Sequence, residues 1–458
     1  MLLILFCNFL FSCTSLKESI DSTSASIIKA EVIIGNVNVI PMTEGAGIVR
    51  NQYIEITNGK ISHISSKCSN QSSIYIDGTG KYIIPGLTEM HAHIPIPKEG
   101  DDVLVHETLF LYLSQGITTI RGMLGDPYHL QLKKEIKAGN ILSPRVYTSS
   151  PSLNGNSVKS VEEAGKKVLQ YAKEGYDFLK IHPGIRIENW NEIEKKANEN
   201  DLPYAGHIPY EVGIDRAITA KFATIDHLDG FIEGLVPNNS YKDSERGFFG
   251  YNLIDRVDRG GINDLVRRIV DHNIAVVPTQ TLFTRWFSPE PAEEMMAADE
   301  MKYMPSQTRF AWRQNKSRMI GDSSYSVSNW ESMISLRHEI LQELYKQGAT
   351  ILLGSDAPQV MNVPGFSLHH EMKSMVAAGI PIIDVLKAGT STPAKFFNNE
   401  RSYGSIEIGA SADILLLTEN PLENIDNMQK IEQVFVRGIQ LTRRDINTQL
   451  KLIALRNR

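Results

Sequence analysis

Cysteine is scarce in this chain, with three residues among 458, so a disulfide framework cannot carry the fold. An excess of charge of one sign is also lacking: 47 Lys and Arg stand against 53 Asp and Glu, for a net charge of −6. No run of basic residues marks a surface for nucleic acid or for a membrane. These absences exclude a small disulfide-stapled scaffold and argue against a nucleic-acid-binding protein.

The remaining composition is that of an ordinary globular protein, with 42% hydrophobic residues, 22% charged residues and only 20 prolines. Such a chain can bury a large core. A single α/β barrel commonly takes about 250 residues. The length therefore suits one barrel with a smaller companion domain.

The first residues, MLLILFCNFLFSC, form an apolar run that is much shorter than the roughly 20 residues needed to span a bilayer. The run is typical of an export signal, and Ser12 before Cys13 resembles the cleavage site of bacterial lipoproteins. We expect residues 1–13 to be a signal peptide and residues 14–27 a tether. Cys13 would carry lipid and hold the protein in the periplasm or at the outer membrane. Plain secretion and an uncleaved segment are the alternatives.

Short β-branched runs separated by Asn-Gly, Asp-Gly and Pro-Gly turns occupy residues 28–84, and β-rich runs return in residues 398–458. We expect the two ends to pair into one small, discontinuous β-sandwich domain. Between them, in residues 85–397, eight short apolar runs alternate with helix-like segments. This alternation predicts an α/β fold of the TIM (β/α)₈ barrel type. Residues 288–347 are too long for a simple helical return and are either a lid or an extra helical hairpin.

Candidate metal ligands begin at the first run of the predicted barrel, where His91 and His93 lie two residues apart and so face the same side of a strand. Alone, such a pair is more often structural. Lys180 closes the fourth run, either as a lysine that reaches to the surface or as a buried, neutral amine that captures carbon dioxide as a carbamate. His182 has the same parity as Lys180.

Further ligand-type residues end later runs: His207 the fifth, His227 the sixth and Asp356 the eighth. Each alone could be an ordinary polar residue or a helix cap. Together they lie at the carboxyl ends of predicted parallel strands, where barrel active sites are found. The pattern therefore predicts a metal site.

The motifs PGLTEMHAH, GITTIRGM, FLKIHPG, AGHIP, IDHLDG and LLGSDAP resemble those of the amidohydrolase superfamily. The similarity is greatest to imidazolonepropionase-like and prolidase-like enzymes with a carboxylated lysine. The resemblance implies two divalent ions, with zinc expected, and carbon dioxide or bicarbonate to modify the lysine. By this resemblance, His91, His93 and Asp356 would bind the first ion, and His207 and His227 would bind the second. Lys180 would bridge both ions.

The implied activity is hydrolysis of a C–N bond in a small molecule, in which two ions activate water. Asp356 would move the proton, and Tyr210 would bind the developing oxyanion or simply pack in a loop. Candidates for substrate binding are Arg121, His182 and His370, while Arg285 and His369 could also reach the site. Arg121 could equally cap a strand end, and His369 and His370 could lie on a solvated helix. A prolidase-like dipeptidase or carboxypeptidase is the close alternative, and a non-catalytic, lipid-anchored binding protein is the more distant one.

Overall fold

The computed structural model describes residues 32–68 and 74–458. The expected signal peptide and tether, with Cys13, lie outside the described residues. Within the described part of the chain, no helix combines the length and the apolar character that a membrane span requires.

The fifteen described strands, in chain order, are β1 (Val32–Val39), β2 (Val49–Thr57), β3 (Lys60–Ser65), β4 (Ile74–Asp77), β5 (Tyr82–Pro85), β6 (Leu87–Ala92), β7 (Ile117–Gly122), β8 (Arg145–Thr148), β9 (Leu179–Ile181), β10 (Tyr204–Gly206), β11 (Thr224–Asp226), β12 (Ala275–Val277), β13 (Ile414–Leu417), β14 (Ile431–Val436) and β15 (Ile439–Thr442).

The described α-helices are α1 (Val103–Ser114), α2 (Pro127–Ala138), α3 (Val161–Glu174), α4 (Ile187–Glu199), α5 (Gly213–Thr219), α6 (Phe231–Gly234), α7 (Ile262–Asp271), α8 (Gln280–Arg285), α9 (Ala292–Met296), α10 (Ser306–Ile320), α11 (Val327–Lys346), α12 (Phe366–Ala377), α13 (Ile382–Ala388), α14 (Ser391–Phe396) and α15 (Arg443–Arg456).

The two ends of the chain share one eight-stranded sheet, in the order β15-β14-β13-β5-β1-β2-β3, with β4 paired to β1. The join between the ends is the antiparallel pair of β5 and β13, in which Pro85 lies opposite Ile414. Buried side chains from both ends, among them Ile34, Ile83 and Phe435, form a separate apolar cluster in this sheet. The predicted pairing of the two β-rich ends is therefore present.

Seven strands between the ends are parallel and fall into two sheets, β6-β7-β8 and β12-β11-β10-β9. Parallel bridges join Ser149 to Phe178 between these sheets, and residues 351–357 bridge to Val276 on one side and to Ala92 on the other. β6 and β7 are buried along their whole length, as parallel strands covered by helices are. The carboxyl ends of all these strands consequently lie on one side.

The segment 288–347 folds as helices fixed to the body of the protein. Lys316 of α10 is fully buried and donates hydrogen bonds to the backbone carbonyls of Arg285 and Ser288. The α11 helix packs against α7 with its buried face, which includes Leu336 and Ile340. A lid function for this segment remains a prediction.

The far end of the chain is not β-rich throughout, because it closes with the α15 helix. Thr442 caps this helix in a reciprocal capping box with Asp445. The helix packs against α1, and its Arg456 lies 2.6 Å from the buried carboxylate of Glu107. The last turns of the chain thus contact the central α/β part as well as the sheet.

Candidate metal centre

His91 near the end of β6 and His93 immediately after it both face Asp356. The Nε2 atoms of His91 and His93 lie 3.5 Å and 2.7 Å from the same oxygen, Oδ1 of Asp356. The period of two along an extended chain puts both rings on one side, with centroids 5.5 Å apart. These three residues, predicted as ligands of one ion, are therefore brought together.

His227 joins this group, although the sequence analysis assigned it to the second ion. Its ring lies 4.5 Å from that of His91, and its Nδ1 lies 3.9 Å from Oδ2 of Asp356. Ligand atoms of His91, His227 and Asp356 all lie within 4.8 Å of one another, and all three residues are buried. The set offers two imidazole nitrogens and a carboxylate, which is a donor set suited to zinc.

The backbone at two of these ligands is in the left-handed region, with φ of 65° at His227 and 61° at Asp356. Residues with a β-carbon adopt this region at a cost, so such positions persist where the surroundings impose them. At His227 the carbonyl and one ring nitrogen both have partners that hold the residue, described below. The left-handed backbone thus helps to orient the His227 side chain.

Lys180 on β9 is fully buried, and its Nζ has no hydrogen-bond partner among the described residues. Burial lowers the pKa of Lys180 to about 8, because a charged ammonium loses its hydration there. A β-carbon at position 206 would lie 3.1 Å from this nitrogen, so Gly206 leaves room beside it. The lowered pKa favours the neutral amine more than in an exposed lysine, and the neutral amine is the form that a carbamate requires.

His207 and His182 extend the cluster on the side of His227. The ring of His207 lies 4.7 Å from that of His227 and stacks at 4.9 Å on that of His182. Nδ1 of His182 is 2.6 Å from the hydroxyl of Ser152, and that hydroxyl accepts a hydrogen bond from the side-chain amide of Asn154. Burial, followed by the charge of Lys180, lowers the pKa of His182 to about 2. His182 is therefore neutral, and the described contacts leave its Nε2 available.

Three residues that the sequence analysis did not single out support the histidine rings. Oδ2 of Asp229 lies 3.1 Å from Nδ1 of His207, and the hydroxyl of Thr279 lies 2.9 Å from Nδ1 of His227. Asp226 approaches Nδ1 of His91 to 3.0 Å, without the alignment of a hydrogen bond. Carboxylates placed behind imidazoles in this way orient metal ligands. The motif IDHLDG contains both aspartates and could have indicated them.

Glu89 fixes the backbone of the first ligand strand. It accepts hydrogen bonds from the amide of His91 at 2.9 Å and from the amide of Ser355 at 2.8 Å. Burial raises the pKa of Glu89 to about 8. The residue thereby ties β6 to the segment that carries Asp356, and its parity with His91 in LTEMHAH is the signal that could have revealed it.

Arg337 of α11 clamps the backbone beneath His227. Its guanidinium is fully buried and donates to the carbonyls of His227 and Pro278, both at 2.7 Å, and to Oε1 of Gln280. It also lies 3.5 Å from the ring centroid of Phe283. Burial lowers the pKa of Arg337 to about 9. No local pattern in the sequence distinguishes this arginine from the exposed ones.

The predicted cationic anchors are already engaged with protein groups. Arg121 is only 1% exposed and donates to the hydroxyl of Thr224 at 2.9 Å. His370 and Arg285 both contact Glu300, each at 3.2 Å. Such contacts compensate the burial of charged and polar groups. A role of these side chains in binding substrate stays a prediction.

Tyr210, the predicted oxyanion donor, lies on the loop after His207 and is 38% exposed. Its hydroxyl donates to the carbonyl of Tyr241 at 3.5 Å, and its ring centroid lies 5.8 Å from the guanidinium carbon of Arg246. The position is near a predicted ligand. Its catalytic role stays a prediction.

The chain is similar in sequence to known enzymes. The sequence pattern described as "Amidohydrolase family" matches residues 82–441. An adenine deaminase of Clostridium perfringens is 28% identical over 215 residues, which are 42% of this chain and 35% of that protein. A 5'-deoxyadenosine deaminase of Methanosarcina acetivorans is 34% identical over 64 residues, which are 14% of this chain and 15% of that protein. The chain thus spans about a third or less of these curated relatives.

Solved structures are similar over nearly the whole fold. A proposed prolidase from Bifidobacterium longum superposes with a TM-score of 0.65 at 21% identity, covering 93% of this chain and 99% of that one. Bottromycin amidohydrolase superposes with a TM-score of 0.68 at 20% identity, covering 93% and 90%. At these identities the likeness establishes the fold alone.

Proposed function

Because the chain belongs to the amidohydrolase family, we propose that it is a metal-dependent hydrolase that cleaves a C–N bond of a small molecule. The observation that carries this proposal is the buried convergence of His91, His227 and Asp356. Buried, closely spaced histidines and carboxylates are costly unless a cation or hydrogen bonds compensate them. A divalent ion is the compensation that this family uses.

The donor set supports two ions, with zinc as the expected metal. His91, His93 and Asp356 would hold the first ion, and His207 and His227 the second. Lys180, carboxylated by carbon dioxide or bicarbonate, would bridge them. His227 of the second set lies close to His91 and Asp356 of the first set, which supports two adjacent ion sites.

When bound, the ions supply Lewis acidity and lower the pKa of water at the site. Asp356 offers one oxygen toward His91 and His93 and the other toward His227, so one carboxylate can bind and still accept a proton. It would pass that proton to the leaving nitrogen. His182 would donate to the substrate carbonyl from Nε2, because the Ser152 hydroxyl can donate to Nδ1 and leave the ring proton on Nε2.

We infer that β6 to β12 and residues 351–357 form one (β/α)₈ barrel within residues 85–397, and that the sheet of residues 28–84 and 398–458 is its β-sandwich companion. The parallel bridges at Ser149, Ala92 and Val276 support closure. The likeness to solved amidohydrolase structures supports the same arrangement.

The test is turnover by zinc-loaded protein of a mixed panel: N-acyl amino acids, dipeptides, lactams and adenine. The matched control is His91→Ala, which removes one ligand. We expect release of the amine or ammonia by the parent and its loss in the control. A strict need for a free substrate carboxylate would favour the dipeptidase alternative, and deamination of adenine would favour the activity of the curated relatives. A metal-loaded parent that cleaves nothing in the panel would support the binding-protein alternative.

For location, we propose a lipoprotein anchored through Cys13 and facing the periplasm or the outer membrane. The sequence around Ser12 and Cys13 supports it. Cys13→Ala should release soluble protein or block processing, as measured by fractionation and intact mass. An unmodified mature chain that begins at another residue would contradict the anchor.

A further inference from the structure

We propose that Phe248, Phe249 and Trp286 form an aromatic wall of the substrate pocket and that this wall recognises a planar aromatic group near the scissile C–N bond. This inference rests on the proposed function, because it names the substrate class of the same site. The residues lie outside every motif by which the ligands were found. They belong to the segment that follows α6 and to the turn after α8.

The wall begins at the metal centre. The ring of Phe249 lies 5.4 Å from that of His227 and 5.8 Å from that of His207, centroid to centroid. Both histidines are proposed ligands of the second ion. Phe249 is partly exposed, so it borders the centre without being sealed in the core. A group held on this wall would lie beside the reacting bond.

The wall continues outward through Phe248, which is 51% exposed. Its ring lies 4.5 Å from that of Phe249 and 5.3 Å from that of Trp286, and it is parallel to the ring of Phe287 at 5.8 Å. Single exposed apolar residues are common and need no explanation. Here the exposed ring prolongs a continuous aromatic cluster that starts at two proposed ligands.

The backbone holds Phe249 in an unusual conformation. Phe249 has φ 54° and ψ 36°, a left-handed region that bulky residues rarely adopt. Gly250 follows with φ 74°, and a β-carbon there would meet Cβ of Ile232 at 2.9 Å. The buried Tyr251 anchors the segment by donating to the carbonyl of Ser326 at 2.7 Å. Backbone strain that the surroundings impose is concentrated at functional sites.

Arg246, two positions before Phe248 in the chain, is already paired with carboxylates, so we assign recognition to the aromatic rings. Arg246 lies 2.7 Å from a carboxylate oxygen of Asp243 and 3.4 Å from one of Glu233. Aromatic rings prefer other rings at centroid distances of about 4.5 to 7 Å, in tilted or offset arrangements. The wall therefore selects a ring with π-electrons over a saturated ring of similar size.

The test compares binding of N-benzylacetamide and N-(cyclohexylmethyl)acetamide to the zinc-loaded full chain by isothermal titration calorimetry. The probes share the amide and differ only in the ring. We expect the parent to bind the benzyl probe about two- to twelvefold more tightly, the range of an aromatic pair. Phe248→Leu and Phe249→Leu should each reduce this ratio toward one. Phe310→Leu, at a phenylalanine on α10 that is 55% exposed, should keep it.

Equal binding of the two probes by the parent, no binding of the benzyl probe, or an unchanged ratio in Phe248→Leu would overturn the proposal. Phe248 is the deciding position because its exposed side chain can change without loss of the fold, which circular dichroism and zinc content would verify. Since the readout is binding, the preference is tested even if no C–N bond is cleaved. Failure of the wall and failure of the hydrolase proposal are thereby distinguished.

Discussion

Replacing Arg337 with Met tests whether this buried arginine holds the backbone under the metal centre. Met keeps much of the apolar volume and removes every donor. The carbonyls of His227 and Pro278 each lose a hydrogen bond of 2.7 Å. A buried acceptor left without a partner costs about 1 to 3 kcal/mol, so the two carbonyls together give about 2 to 6 kcal/mol. Oε1 of the buried Gln280 loses its Arg337 donor as well.

The assay is urea unfolding of the metal-free protein, and the expected result is a free energy of unfolding that is lower by that amount. The control is Arg259→Met. Arg259 pairs with Glu339 at the surface, where the two side chains are 42% and 45% exposed, and an exposed pair contributes less than about 1 kcal/mol. Arg337→Met should also weaken zinc binding, because His227 loses the contact that holds its left-handed backbone. A loss of stability no larger than that of Arg259→Met would refute the reasoning.

Four further predictions concern the proposed ligands and the residue behind one of them. Asp356→Asn should keep most of the metal and lose about 10²-fold in kcat, the scale of a lost general base, whereas His91→Ala should lose metal and activity together. Elemental analysis and turnover on the same preparations decide this, and a fast, metal-replete Asp356→Asn enzyme would contradict the proton role. The parent protein should hold close to two ions per chain. Lys180→Ala should lose most of the activity, and short carboxylic acids should partly restore it. Full activity in that variant would remove the lysine from the mechanism. Asp229→Asn should weaken binding of the second ion by about 10- to 100-fold in a competition titration with a chelator, because a carboxylate behind a ligand histidine orients that histidine. An unchanged affinity would show that Asp229 has no such role.

The convergence of the proposed ligands was predictable from sequence because it depends on local geometry and on one topological rule. A strand turns every second residue to the same side, which is why His91 and His93 face one carboxylate. Parallel strands put their carboxyl ends on one side, which is why His207, His227 and Asp356 come together. The motifs around them established the resemblance to the family, which the match over residues 82–441 confirms.

The partners of Arg337 and of the predicted anion-binding residues were decided by tertiary structure alone. Arg337 reaches the carbonyl of His227 across 110 positions of the chain, and no periodicity within one helix encodes such a partner. Arg121 and His370 are typical anion-binding residues by type, yet the fold supplies them with Thr224 and Glu300 as partners.

Sequence thus determined which side chains could serve as ligands and along which strands they lie, because strand period and motif are local properties. Tertiary structure determined which charges are already paired, which backbone is held in the left-handed region, and which aromatic rings border the centre. Those properties depend on contacts between segments far apart in the chain, and a contact of that kind has no local signature for a sequence to show.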